Sequence, residues 1–392
     1  MSENVATLPR NASRGPLVRL DPIVLILTSA IVLLGLIMVT SASITMAASE
    51  LNEPFAYLIK ELELVAGGVL LGVLAFCIPT AKLERLAWPC LILAGVLLLA
   101  VLIPGLGHVT HGSRRWLRIG PLNFQVSELA RVLILIYIAY YCVRFETALR
   151  SGWAGLLRPL MLLGVAAGLL ILEPDLGAAT VLFVTGFGLL FLAGAQLRWV
   201  LATLVLGSGA LTVLTMFSSY RMRRIISFLN PWADPYGSGF QLTQSLIAIG
   251  RGQWFGVGLG ASVQKLFYLP EAHNDFIFAV LAEELGLAGV VMTLALFLAL
   301  TARVFIIAKR AQAAGLKFQS YLAAGFGLWL AVQAFVNIGV NMGVLPTKGL
   351  TLPLMSYGRS SMVVALAWLG IVLRVHHDTV TSSRGNARER AP

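Results

Sequence analysis

Charge is what this sequence has least of. Only 12% of its 392 residues are Asp, Glu, Lys or Arg, about half the share of an ordinary soluble domain, while 58% are hydrophobic. Acids are scarcer still, 18 against 29 Lys and Arg, which leaves a net charge of +11. Cysteine is nearly missing. Cys77, Cys90 and Cys142 stand alone in apolar stretches without CxxC spacing, so they read as small buried hydrophobes and imply neither a disulfide framework nor a metal. No run of about ten residues alternates polar with apolar, which excludes a membrane β-barrel. Too little polar surface remains for a soluble enzyme, and too little charge for a disordered chain.

Long apolar blocks fill the space instead. A bilayer core asks for about 20 residues per helix. Runs bounded by charge, proline and turn residues predict ten spans, at residues 22–46, 56–78, 86–104, 126–143, 156–172, 176–194, 198–218, 276–307, 319–342 and 353–374. The chain reads as an all-α polytopic membrane protein with about ten transmembrane helices. Placing both termini on the cytoplasmic side puts seventeen of the 29 Lys and Arg there, in line with the positive-inside rule. Residues 1–21 and the basic 375–392 are then cytoplasmic tails, and 22–374 is one transmembrane domain. A long outer loop runs over about 219–275, between the seventh and eighth spans. No secretory signal is visible, because the apolar run behind Arg10, Arg14 and Arg19 is too long for one. The excess positive charge belongs to the membrane faces and does not call for nucleic acid.

The bases that fall outside are clustered. One group is Arg114, Arg115 and Arg118 around Trp116; the other is Arg221, Arg223 and Arg224 at the opening of the long loop. They read either as snorkelling interfacial anchors or as a site for a polyanion on the outer leaflet. The loop itself is too small for a comfortable core of its own. Arg221 to Leu229 suits a short amphipathic interfacial helix, Asn230 to Pro235 is turn chemistry, and 240–249 has helical spacing. Gly250, Gly252, Gly256, Gly258 and Gly260 miss the spacing of a dinucleotide loop and suit backbone packed closely against a membrane-level cavity. The two halves of the chain show no matched broken spans, which lowers the case for a secondary transporter.

Acids inside apolar spans are expensive. Glu128 and Arg131 share a helix face at i and i+3, and read as a structural ion pair or as the lining of a substrate cavity. Glu283 and Glu284 lie two turns into an eighth span of about 48 Å, which must tilt or project from a core of about 30 Å; one of them is expected to bond a partner helix. Glu173 and Asp175 flank Pro174 as turn or cap residues. Asp275 stands at the mouth of the eighth span. It suits an N-cap, a role for which Asn274 competes, or a carboxylate base facing a wet groove. Ser356 to Ser361 puts a polar run and Arg359 at the start of the tenth span, where only a protein-lined or wet setting accepts it.

Several of these stretches together resemble the SEDS family (shape, elongation, division, sporulation), the polytopic polymerases of peptidoglycan. They are Gly112 to Leu117, Gln125 to Glu128, Glu173 to Gly177, Asp234 to Gln241, Tyr268 to Phe276, Glu283 to Gly286 and Pro346 to Ser361, in family order. Leu345 to Pro353 looks like the division-type member of the family. The resemblance implies an inverting peptidoglycan glycosyltransferase in the bacterial inner membrane at the division septum, with its active site on the periplasmic face. Asp275 corresponds to the family's catalytic carboxylate, the general base on the acceptor 4-hydroxyl of lipid II, and undecaprenyl pyrophosphate leaves. Arg114, Arg115, Glu128, Arg131, Arg221, Arg223, Lys265, Lys348, Ser356 and Ser360 correspond to groups that bind the substrate. The implied partners are lipid II, the undecaprenyl-pyrophosphate-linked glycan, membrane lipid, a class B penicillin-binding protein (an FtsI-type transpeptidase) and the FtsQ–FtsL–FtsB complex. No cofactor is evident, and a divalent cation is left open. Val126 for the usual Pro, Arg131 for Lys and Arg359 for Gly depart from the family pattern. A lipid II flippase and a non-enzymatic scaffold are the competing readings.

Overall fold

The computed structural model describes residues 18–110, 113–119, 122–217, 222 and 226–389. Arg221, Arg223 and Arg224 lie outside the described residues, as does Ile225; of the expected 221–229 helix, 222 and 226–229 are described and helical. In chain order the helices are α1 (Pro22–Leu51), α2 (Ala56–Cys77), α3 (Thr80–Arg85) and α4 (Ala87–Leu102). There follow α5 (Val126–Arg144), α6 (Glu146–Ser151), α7 (Trp153–Leu172), α8 (Leu176–Leu192) and α9 (Leu197–Met216). The series closes with α10 (Phe240–Gly252), α11 (Ile277–Ala313), α12 (Lys317–Asn341) and α13 (Arg359–Glu389).

Six of these, α1, α5, α7, α11, α12 and α13, are long and apolar enough to cross a membrane, and α4, α8 and α9 are shorter apolar helices. The most apolar stretches of α5, α12 and α13 are 72–78% buried and form the centre, whereas those of α7 and α11 are 33% buried and face outward. Trp329 of α12 stacks on Trp368 of α13 at 5.3 Å, with Phe326 edge-on to Trp368 at 5.3 Å. Small residues let α2 and α13 touch backbone to backbone. A methyl group on Gly370 would stand 2.0 Å from the Gly72 carbonyl, so the crossing admits no side chain there.

Capping sets where the helices begin. Asp21 accepts the N–H groups of Ile23 and Val24 at 3.1 Å, with Pro22 opening α1, and its carboxylate also pairs with Arg303 of α11 at 2.6 Å. Asp175 accepts the N–H of Ala178 at 2.9 Å and opens α8.

The structure corrects three expectations. The outer loop between α4 and α5, expected to carry no strand in an all-α chain, is not irregular. It folds into an antiparallel sheet in the order β1 (Gly107–Thr110), β2 (Ser113–Ile119), β3 (Leu122–Gln125), with Trp116 opposite Gln125 and Leu117 opposite Phe124. β2, Ser-Arg-Arg-Trp-Leu-Arg-Ile, does not alternate polar with apolar, so period-two patterning gives no strand signal. The tenth span opens at Arg359, because 353–358 is a turn, and its helix continues through residues read as a tail. Thirdly, α11 does not run as one straight rod. Gly286 takes φ +64° and ψ −161° and breaks it.

Orphaned backbone groups at such a break are costly at membrane depth, and the segment behind α10 supplies the partners. Leu287 and Ala288 donate to the carbonyls of Gln253 and Trp254 at 2.8 and 3.1 Å, while Val257 and Gly258 donate to those of Glu283 and Glu284 at 3.0 and 3.1 Å. The glycine-rich stretch is thus a splice across a broken helix.

Candidate active site

Asp275 sits in the turn just before α11, half-buried. It is not the N-cap of the helix. Phe276 holds that position, without a side-chain capping bond. What fixes Asp275 is its own carbonyl, which accepts the side-chain amides of two α12 residues, Asn337 at 2.9 Å and Asn341 at 3.0 Å. Asn337 spends its second amide proton on the carbonyl of Leu350 at 2.5 Å. Asn341 turns its oxygen to the N–H of Ala279 at 3.1 Å, a donor in the first turn of α11. Both asparagines are buried. They staple the turn of Asp275 to the 346–358 segment, and Gly349 lies against the carboxylate: a methyl group there would stand 2.9 Å from Asp275 Oδ2. Neither asparagine stood out in sequence, because each looks like an isolated polar residue in an apolar span; their i and i+4 spacing was the available signal.

The neighbouring walls follow from the same segment. Leu350 packs on Gly177 in the first turn of α8. Beside it, Arg115 of β2 donates to the carbonyls of Glu173, at 3.3 Å, and Pro174, and lies 4.0 Å from the Asp175 carboxylate. The Glu173 side chain is buried with neither oxygen hydrogen-bonded among the described residues, and burial with Asp175 nearby pushes its carboxyl up to about 8. Gln125 completes the link, donating from its backbone to Ser360 Oγ at 2.8 Å and from its side chain to Asp175 at 3.4 Å. On the other side, His273, Tyr57 and Tyr357 pack ring to ring at 5.0–5.7 Å, and Tyr357 N–H donates to the His273 carbonyl at 3.1 Å. Burial holds the His273 imidazole below its ordinary range, so it is neutral at pH 7.

Most of the other sequence candidates among the described residues have partners inside the protein. Glu128 and Arg131 form the buried pair that their spacing suggested, at 3.2 Å, and Arg131 also donates to Gln333 at 2.7 Å beneath the Trp329 ring. Gln333 passes the connection on to the Thr351 carbonyl at 3.1 Å. Lys265 is buried and donates to Glu284 and to Ser41 of α1, both at 2.9 Å. Glu283 accepts Ser262 Oγ at 2.5 Å and pairs with Arg251 at 3.4 Å. Both acids of the adjacent pair thereby tie the long loop to α11, where one such bond was expected. Ser356 Oγ accepts the N–H of Leu352 at 2.8 Å, and Arg114 donates to the Leu102 carbonyl at 3.0 Å. Lys348 lies on the stapled segment, one residue before Gly349. Among the described residues no group of three or more His, Cys, Asp or Glu could hold a metal ion.

Residues 21–381 match the FtsW/RodA/SpoVE family of cell cycle proteins. A relative from Thioalkalivibrio sulfidiphilus, named "Probable peptidoglycan glycosyltransferase FtsW", is 53% identical over 365 residues, covering 93% of this chain and 91% of its own. One of the same name from Coxiella burnetii is 46% identical, covering 92% and 96%. Among solved structures, a chain of a peptidoglycan synthase complex that coordinates polymerization and crosslinking superposes with a TM-score of 0.74 at 33% identity, covering 92% of this chain and 98% of that one. The rod shape determining protein RodA of Thermus thermophilus gives 0.67 at 31% identity, covering 93% and 99%.

Proposed function

The chain belongs to the FtsW/RodA/SpoVE family of cell cycle proteins and is a peptidoglycan glycosyltransferase, and from that premise we propose that it polymerises lipid II with Asp275 as general base. The observation that carries the reading is the staple: two buried amides hold the backbone of a half-exposed carboxylate at the meeting point of α11, α12 and the 346–358 segment. A sugar hydroxyl is a poor nucleophile near neutral pH and needs a positioned base as the new bond forms. Asp275 takes the proton from the 4-hydroxyl of the acceptor lipid II. The oxygen attacks the anomeric carbon of the donor from the face opposite its pyrophosphate, and undecaprenyl pyrophosphate departs with the bonding electrons.

Cations stabilise that leaving group. Lys348, one residue before the Gly349 that lies against the carboxylate, and Arg221 and Arg223 in the long loop are assigned this role. Arg114, Arg115, Glu128, Arg131, Lys265, Ser356 and Ser360 shape the site from within, since their side chains already have protein partners. In this reading ten helices cross the inner membrane, both termini are cytoplasmic, and the site faces the periplasm at the septum. A class B penicillin-binding protein crosslinks the product, and the FtsQ–FtsL–FtsB complex recruits the pair.

The test is polymerisation of labelled lipid II by the purified protein with its class B partner, comparing wild type with Asp275→Asn. Glycan ladders from wild type alone support the assignment. Equal ladders move the base to another carboxylate. No ladder from either, with the partner bound, brings forward the flippase or scaffold reading.

A further inference from the structure

Pro159 lies inside α7 and has no N–H for the carbonyl of Gly155, one turn earlier. Tyr141 of α5 supplies the donor, its hydroxyl reaching that carbonyl at 2.7 Å. The bond holds the Tyr141 ring as one wall of a cavity of about 120 Å³ between α4, α5 and α7, with Trp88, Tyr137, Phe145, Arg158 and Leu162 around it. That is room for about four water molecules, or one phosphate group. The rings brace one another, Trp88 edge-on to Tyr137 at 4.9 Å and Tyr141 against Phe145 at 4.7 Å.

The free polar groups here can all donate. Among the described residues, the Arg158 guanidinium, the Tyr137 hydroxyl and the Trp88 indole N–H make no hydrogen bond, and no carboxylate lines the cavity. Arg150, Arg303 and Arg374 at this end of the bundle pair with Glu146 at 2.7 Å, Asp21 at 2.6 Å and Asp378 at 2.8 Å, whereas Arg158, exposed at the cavity mouth, has no carboxylate partner among the described residues. A planar cation with two further donors and no competing carboxylate suits an oxyanion.

Two features identify the source of that anion. Trp88 and Trp153 are exposed at this level, as aromatic side chains are at the headgroup region of a bilayer. From the mouth of the cavity, Leu157, Met161 and Val165 continue along α7 as an exposed apolar stripe at one-turn spacing, a track for an acyl chain.

We propose that this cavity binds the phosphate of an anionic phospholipid, with Arg158 and Tyr137 as donors and the chains along α7. The orientation of the protein decides only which leaflet supplies the lipid. Native mass spectrometry of the full chain in detergent, titrated with phosphatidylglycerol, diacylglycerol or inorganic phosphate, tests it. Wild type retains one phosphatidylglycerol in preference to diacylglycerol. Arg158→Gln weakens that retention by about tenfold or more, and Tyr137→Phe by about threefold. Arg198→Gln, which removes an exposed arginine away from the cavity, leaves it unchanged. Undiminished retention in both Arg158→Gln and Tyr137→Phe, or equal retention of diacylglycerol, overturns the site. Displacement by millimolar inorganic phosphate overturns the lipid assignment in favour of a free-anion site. Tyr137→Phe keeps the question open to measurement if Arg158→Gln does not fold.

Discussion

Asn337→Leu removes one arm of the staple with almost no change in volume. The Leu350 carbonyl then loses its donor, while the Asp275 carbonyl keeps Asn341 at 3.0 Å. One buried carbonyl left without a partner costs about 1–3 kcal/mol. That is small for a protein anchored by its whole helix bundle, but it falls on the contact that seats Gly349 against the carboxylate. The segment relieves the cost by moving, and a displacement of about 1 Å at a base costs on the order of a hundredfold in rate. The expected outcome is a kcat about a hundredfold lower in lipid II polymerisation, with KM within about threefold of wild type, because no group that holds the substrate has been removed. Asn337→Gln, which keeps the amide, should recover part of the loss. The reasoning fails if Asn337→Leu polymerises within about twofold of wild type, or if its loss lies in KM alone.

Arg131→Met leaves Glu128 buried without its cation and should destabilise the protein by about 3–5 kcal/mol, measured by unfolding in detergent, whereas the double change with Glu128→Leu should restore much of that. Recovery no better than additive would show that Gln333, not Glu128, is the partner that matters. Gly286→Ala demands φ near +64° from a residue with a Cβ, which would stand 2.3 Å from Gly256 N; the variant should accumulate poorly in the membrane, and wild-type yield and thermal midpoint would refute the splice. His273 is held below its ordinary value of 6.5 by burial, so the stability it contributes is complete above about pH 6.5 and is lost as the pH falls through its lower folded value. The thermal midpoint should therefore drop on acidification below 6.5, and His273→Gln should flatten that part of the curve.

The helical scaffold was legible because lipid demands long apolar runs, and such runs have no other use. The i, i+3 pair of Glu128 and Arg131 was legible for the same reason, since charge at that depth has to be paired. What escaped was everything produced by tertiary contact. The sheet at 107–125 is built of short strands whose pairing is visible only once the hairpin has closed. Position and neighbours made Asp275 look like a cap, whereas its backbone is held by α12, more than sixty residues away along the chain. The break at Gly286 was hidden because a single glycine inside an apolar run is tolerated by most helices; its signal lies in the five glycines of 250–260, which need a backbone to lie against.

The distribution of buried charge bears on the choice between polymerase and flippase. Carrying a pyrophosphate headgroup through the bilayer requires polar groups free to receive it at successive depths. Here the ionised groups gather at the two ends of the bundle. At one end are Asp21 with Arg303, Asp378 with Arg374, and Glu146 with Arg150 and Lys317. At the other are Glu128 with Arg131, Glu283 with Arg251, and Glu284 with Lys265; Glu173 and Glu61, whose carboxyl oxygens are buried without hydrogen-bond partners among the described residues, stand at this same end. Glu61 lies in the second turn of α2, at the same end as the Asp275 turn, and Tyr57 one turn before it packs on His273. Between the two ends, the cores of α5, α12 and α13 are filled by Trp329, Phe326, Trp368 and aliphatic side chains, with Gln333 already committed to Arg131 and Thr351. A path across would have to open through that packed aromatic layer, whereas polymerisation requires polar groups on one face only, which is where the free carboxyls and the stapled aspartate stand.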